Sequence, residues 1–268
     1  GKRRNSPLAN NESSQFPLLS ATGLCKNFGG IKAVDNAEIQ VPSGSITGLI
    51  GPNGAGKTTL FNLLSHFIRP DKGRITFDGE PIQNLQPYQI AQMGMIRTFQ
   101  VARTLSRLSV LENMLLAAQK QTGENFWQVQ FQQHKIVQEQ KALKERALLL
   151  LESVGLAHKA YDYAGGLSGG QRKLLEMGRA LMTEPKLILL DEPAAGVNPR
   201  LIDEICDRII AWNKNGMTFL IIEHNMDVIM SLCNQVWVLA EGRNLADGTP
   251  EEIQRNSKVL EAYLGKSA

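Results

Sequence analysis

The chain has 268 residues, 43% of them apolar, which is enough for a full hydrophobic core and argues against a disordered protein. Its net charge of +3 is concentrated at the start in Lys2, Arg3 and Arg4, so the rest of the chain is almost neutral and carries no electrostatic footprint for nucleic acid. Apolar runs such as Ala147 to Leu151 fall far short of the roughly 18 residues a membrane helix needs; Cys25, Cys206 and Cys233, unpaired in number and without C-x-x-C spacing, read as reduced cytosolic thiols rather than disulfides or a zinc site.

Residues 1–17 are polar, rich in Asn and Ser, and lack both apolar periodicity and the apolar stretch of a secretory signal, so a disordered tail is expected there. Strand-like segments follow through Leu24 and from Ile39 to Val41, broken by a turn at Phe28-Gly29-Gly30. Taken alone, Phe28 reads more readily as a core residue than as a surface on which a base stacks.

The run Ile46 to Ile50 is a predicted buried strand, and helical spacing resumes at Thr59, so Gly51-Pro52-Asn53-Gly54-Ala55-Gly56-Lys57-Thr58-Thr59 occupies a strand-to-helix turn. Its form is G-x-x-x-x-G-K-[ST], the phosphate-binding loop. The glycines let successive N–H groups of Asn53, Gly54, Ala55 and Gly56 turn inward towards a β-phosphate at the positive end of the next helix. Lys57 can reach β- and γ-phosphate oxygens, and the hydroxyl of Thr58 can coordinate a bridging Mg²⁺. An ordinary glycine-rich turn would not need this octapeptide behind an apolar strand.

Asp71-Lys72-Gly73 reads as a turn, Arg74 to Phe77 as a short strand, and Asp78-Gly79 as a hairpin signal, together an antiparallel piece. Met95 to Gln100 reads as a core strand with Gln100 at its carboxyl end, where open α/β sheets put ligand-contacting residues. From Val101 to about Arg179 helix formers dominate. Ser109 to Glu112 has capping-box spacing, eight glutamines lie between Gln119 and Gln140, and Ala142 to Val154 is amphipathic. This is predicted to be a helical subdomain, about residues 101–180, inserted in one α/β domain spanning residues 18–268.

Leu167-Ser168-Gly169-Gly170-Gln171 then opens a helix-prone run, a second anion-seeking helix terminus that raises the prospect of contact with a neighbour's nucleotide. The apolar strand Lys186 to Leu190 ends in Asp191-Glu192, two acids that are costly there unless they hold a metal or move a proton. Asp191 can anchor Mg²⁺ and Glu192 can deprotonate an attacking water. Asn198-Pro199 starts a helix through Trp212, and Thr218 to Ile222 is another buried strand leading to Glu223-His224. A lone histidine is more often structural, but His224 shares its sheet edge with Gln100 and Asp191. A strand from Gln235 to Leu239 and a helix begun by the capping box at Thr249 close the chain.

In this order and spacing the phosphate loop, Gln100, Ser168 to Gln171, Asp191-Glu192 and His224 resemble the ATP-binding subunit of an ABC transporter, over roughly residues 18–265. The resemblance implies an α/β P-loop NTPase core, a mixed sheet flanked by helices with an antiparallel β piece, plus the inserted helical subdomain. It implies ATP and Mg²⁺ as ligands, ATP hydrolysis as the activity, and two subunits closing head to tail around two nucleotides. Each nucleotide would lie between one subunit's loop, residues Asn53 to Thr59, and the other's Ser168, Gly169, Gly170 and Gln171. Phe28 would stack on adenine, Gln100 would sense Mg²⁺ and the γ-phosphate, Thr58 and Asp191 would serve the metal, Glu192 would be the general base, and His224 would contact the γ-phosphate.

Phe28 to Val34, Arg97-Thr98-Phe99-Gln100, Asp191 to Pro199 and the ending Ala262 to Gly265 look like the subgroup serving importers of branched-chain and other neutral amino acids. That implies membrane-spanning permease subunits, a second ATPase, either a different chain or a second copy, a periplasmic binding protein, and a peripheral place on the cytoplasmic face of the inner membrane. The segment Val101 to Leu115 would receive the permease's coupling helices. Most such subunits have Asp where this chain has Asn198. The alternatives are another cargo, urea import or lipid export, or a non-transport ABC ATPase, although the long coiled coils of repair proteins are missing between Gly56 and Ser168.

Overall fold

The computed structural model describes residues 17–98, 105–119 and 133–264. The chain opens with an antiparallel hairpin, β1 (Leu19–Phe28) and β2 (Ile31–Val41), and then enters the buried strand β3 (Ile46–Ile50), whose five residues are all buried. Helix α1 (Lys57–Leu64) follows, then β4 (Lys72–Phe77), the short β5 (Glu80–Pro81), α2 (Pro87–Gln92) and β6 (Met95–Thr98). Helices α3 (Val110–Gln119), α4 (Gln133–Ser153) and α5 (Gly169–Leu181) come next, before β7 (Leu187–Asp191), α6 (Pro199–Lys214), β8 (Thr218–Ile222) and α7 (Met226–Leu232). The hairpin β9 (Gln235–Ala240) and β10 (Arg243–Gly248) and the helices α8 (Pro250–Arg255) and α9 (Ser257–Leu264) complete the described chain.

Two sheets result. The smaller is antiparallel in the order β2-β1-β4-β5; the larger has the order β10-β9-β3-β8-β7-β6, with β9, β3, β8, β7 and β6 parallel and β10 antiparallel at the edge. This is the mixed sheet with an antiparallel piece that the resemblance implies. The central strands are covered on both faces, which explains why they read as unbroken apolar runs. Their side chains nonetheless sort by alternation. Ile46, Ile188, Leu190, Phe219 and Ile221 face the core shared with α3 to α7, while Leu49, Leu187, Leu189, Leu220 and Ile222 face α1 and the small sheet.

The structure departs from the sequence expectations in local ways. β4 begins at Lys72 within the expected turn, because that residue pairs with Cys25 of β1. α4 takes in Gln133 to Gln140, so the end of the glutamine-rich stretch is helical. β10 was not anticipated. Its sequence is polar and none of its residues is buried, as suits an edge strand with one neighbour. The short helices α2 and α7 were not anticipated either.

Candidate nucleotide site

Parallel pairing in this register (Leu49 opposite Ile222, Ile222 opposite Asp191, Leu190 opposite Thr98) brings the carboxyl ends of β3, β8, β7 and β6 side by side. The phosphate-binding loop leaves the first of these ends. Residues Asn53 to Thr59 all line a cavity of about 530 Å³, together with Ile31, Lys32, Ala33, His224, Glu241 and Gly242. Gly56 caps α1 with φ 92°, in the left-handed region, and a Cβ there would run into the carbonyl oxygen of Ala33.

Lys57 is the first residue of α1 and is 5% exposed. Its ammonium donates to the carbonyl oxygens of Gly51 at 2.7 Å and Pro52 at 2.9 Å, so the charge is held by its own loop. Burial pulls its pKa below the ordinary lysine value, and the charge of nearby Glu192 works against that shift.

Glu192 follows β7 directly. Its backbone is in the left-handed region at φ 50°, uncommon for a residue with a side chain, and its N–H donates to Ile222 O at 2.9 Å. That geometry sends the side chain to His224, whose Nε2 lies 2.7 Å from Glu192 Oε1, with both side chains partly open to solvent. Beneath them Glu223 is 3% exposed. One of its oxygens accepts the Ala194 N–H at 2.7 Å; the other accepts those of His224 at 3.1 Å and Asn225 at 3.3 Å. The loop after β7 is also held from α5, where the Lys173 ammonium donates to the carbonyl oxygens of Pro193 at 3.2 Å, Glu192 at 3.4 Å and Ala195. Burial lowers the Lys173 pKa, opposed by the charges of Glu223 and Glu192.

Asp191, the last residue of β7, pairs with Arg97 of β6, whose Nη2 is 2.8 Å from Asp191 Oδ2. Ser168 and Gln171 close the capping box of α5: Gln171 N–H donates to Ser168 Oγ at 3.2 Å, and Ser168 N–H donates to Gln171 Oε1 at 3.0 Å. These two residues line a separate cavity of about 220 Å³ with Asn198 and Arg200, so the chain does not bring them to its own phosphate loop. Phe28 is 48% exposed at the end of β1, with the Lys26 ammonium 5.6 Å from its ring centroid; its pairing partner Ile31, rather than Phe28, lines the cavity. Core burial of Phe28, the plainer expectation, is therefore not what the structure has. Asn198 caps α6, its Oδ1 accepting the Leu201 N–H at 3.0 Å. Gln100 lies outside the described residues.

Sequence reasoning gave no role to Glu223, Lys173 or Arg97. Glu223 had a signal: like Asp191-Glu192, it is a carboxylate closing an apolar strand.

Comparison with known proteins gives the family. The family model described as ABC transporter matches residues 34–195, and the model described as Branched-chain amino acid ATP-binding cassette transporter matches residues 243–268. The chain is 41% identical over 248 residues to the probable branched-chain amino acid transport ATP-binding protein LivG of Archaeoglobus fulgidus, covering 92% of this chain and 95% of that protein. It is 40% identical over 252 residues to the high-affinity branched-chain amino acid transport ATP-binding protein BraF of Pseudomonas aeruginosa, covering 94% and 99%. A crystal structure of the ADP conformation of an ATP-binding cassette of an ABC transporter matches with TM-score 0.80 and 38% identity, covering 94% of this chain and 100% of that chain.

Proposed function

The chain belongs to the ABC transporter family of ATP-binding subunits, and on that premise we propose how its residues make ATP hydrolysis drive the import of branched-chain amino acids. The C-terminal match favours this cargo over the urea and lipid alternatives. The observation that carries the mechanism is the 2.7 Å contact between Glu192 and His224, beside the mouth of the phosphate-loop cavity.

ATP enters with its β- and γ-phosphates against the N–H groups of Asn53 to Gly56 and of Lys57, Thr58 and Thr59 at the start of α1. Lys57 then exchanges the carbonyls of Gly51 and Pro52 for phosphate oxygens, trading neutral acceptors for charged ones. Glu192 takes the proton of the attacking water, and His224 orients Glu192 through Oε1, leaving Oε2 for the water and the imidazole beside the γ-phosphate. Phe28, paired with the cavity-lining Ile31, supplies a ring for adenine, and Gln100 follows the γ-phosphate.

The donor set fits Mg²⁺. A Thr58 hydroxyl and an Asp191 carboxylate are hard oxygen ligands, few in number, as suits a cation that keeps waters and substrate phosphates; among the described residues there is no cluster of three or more His, Cys, Asp or Glu to hold a metal by protein alone. When bound, Mg²⁺ neutralises charge on the phosphates.

Ser168, Gly169, Gly170 and Gln171 act on the nucleotide of a second ATPase subunit, a reading supported by their separation from this chain's own loop. Closure of that pair pulls on membrane-spanning permease subunits fed by a periplasmic binding protein, with this subunit peripheral on the cytoplasmic face. No helix among the described residues is long and apolar enough to cross a membrane.

The test is Glu192→Gln in the assembled transporter, measuring ATP hydrolysis, ATP binding and uptake of labelled leucine. Hydrolysis should fall about a hundredfold or more with ATP binding retained, and leucine uptake should fall with it. Unchanged hydrolysis would remove Glu192 from its role.

A further inference from the structure

The sequence singles out Arg97-Thr98-Phe99-Gln100, and nothing in the proposed chemistry uses the arginine. Its surroundings are unusually specific. Nη2 donates to Asp191 Oδ2 at 2.8 Å, while Nη1 donates to Asn62 Oδ1 at 2.7 Å and Ser65 Oγ at 3.0 Å. The guanidinium carbon lies 4.7 Å from the centroid of Phe61 and 5.9 Å from that of Phe67, so two rings of the α1 region lie within cation–π reach of the planar group. One side chain from β6 thus fastens the end of β7 to the helix that carries the phosphate loop.

Stability alone is a poor reason for this arrangement. Both side chains are mostly buried, at 13% and 16% exposure, and apolar residues of similar volume commonly replace such pairs without loss. The arginine Nε is also buried with no hydrogen-bond partner, a cost a simpler side chain would avoid. What the arrangement does achieve is control of one carboxylate: Oδ2 is committed, while among the described residues no donor reaches Oδ1.

We infer that Arg97 is a positioning residue for metal-dependent nucleotide binding. It holds the Asp191 carboxylate in one orientation with Oδ1 free, and ties that orientation to α1 through Asn62 and Ser65. This rests on the reading of Asp191 as an anchor for Mg²⁺. A lysine cannot reproduce the function in full, because a point charge cannot bridge Asp191 and the two α1 acceptors with a fixed planar fork. Second-layer groups of this kind commonly change metal affinity about 10- to 100-fold when removed.

The experiment uses the full chain with Mn²⁺ as a paramagnetic probe and a non-hydrolysable ATP analogue. Mn²⁺ affinity in the analogue complex is read by electron paramagnetic resonance, and analogue affinity is read separately in excess chelator. Arg97→Ala should weaken Mn²⁺ binding about tenfold, Arg97→Lys should recover part of the loss, and metal-free analogue binding should stay within about twofold in both. Asp191→Asn serves as the control. If Asp191→Asn weakens Mn²⁺ binding while folded Arg97→Ala does not, the inference falls and the role of Asp191 stands; if neither weakens it, the role of Asp191 falls as well. A parallel loss of metal-free analogue binding also overturns the inference, since that outcome marks a displaced α1. Should Arg97→Ala fail to fold, Arg97→Gln, a neutral side chain that retains donors, carries the same comparison.

Discussion

His224 reaches Glu192 across the ends of two strands, Nε2 to Oε1 at 2.7 Å, although 32 positions separate them in the chain. The contact follows from register. Ile222 sits opposite Asp191, so the residues just after each strand emerge together, and the left-handed backbone of Glu192 turns its side chain towards the imidazole. Replacing His224 with Ala should therefore lower ATP turnover about a hundredfold while leaving nucleotide affinity nearly unchanged. His224→Gln, which can still donate to Glu192, should recover part of the rate. Single-turnover hydrolysis beside equilibrium ATP binding would check this, and equal loss of both would show that the imidazole serves binding instead.

Glu223 should matter to the same chemistry from below. Its buried carboxylate accepts backbone N–H groups from Ala194, His224 and Asn225, and so joins the two loops that carry Glu192 and His224. Glu223→Gln keeps the shape but turns a donor towards at least one of those N–H groups. The expected cost is about 1–3 kcal/mol in urea denaturation, with turnover reduced beyond what the stability loss explains. A variant as stable and active as the parent would show that the clamp is dispensable.

His66 should make the fold sensitive to acid. It is 4% exposed, and neither ring nitrogen has a hydrogen-bond partner of good geometry. Burial lowers its pKa below 6.5, the charge of Arg69 adds to the shift, and the Leu85 backbone pulls weakly the other way. The folded state thus binds its proton less readily than the unfolded state, so the stability contribution is complete above the unfolded value and is lost as pH falls through the lower folded value. The melting temperature should drop between about pH 7 and about pH 5, and His66→Asn, which tolerates the residue's φ of 57°, should flatten that drop. An equal drop in both proteins would assign the acid sensitivity elsewhere.

Much of this molecule is legible from short stretches of sequence. Ile46 to Ile50 and Thr218 to Ile222 match β3 and β8 residue for residue, because strands covered on both faces leave no polar interruption. The capping residues Ser109, Asn198 and Thr249 were equally plain, since each acts on N–H groups within its own first turn. The phosphate loop needs only its own nine residues to be recognised. What stayed hidden depends on partners remote in the chain. Ala194 lies 29 positions from Glu223, and Asp191 lies 94 from Arg97, so neither bond follows from local spacing. β10 was hidden for a different reason: an exposed edge strand with one neighbour has no apolar alternation to announce it.

Recognising the phosphate loop is easier than transplanting it. The carbonyl of Ala33, from the small sheet, closes on Gly56, and the turn between β9 and β10 packs beside it, its Gly242 N–H donating to Ala55 O at 2.9 Å while Gly242 O accepts the Asp35 N–H at 2.8 Å. Segments separated by some two hundred positions thus form the mould in which nine residues take shape. The motif is a local text with a global grammar. A chain cut before its last hairpin would still spell the loop in full and would have lost one wall of the mould that shapes it.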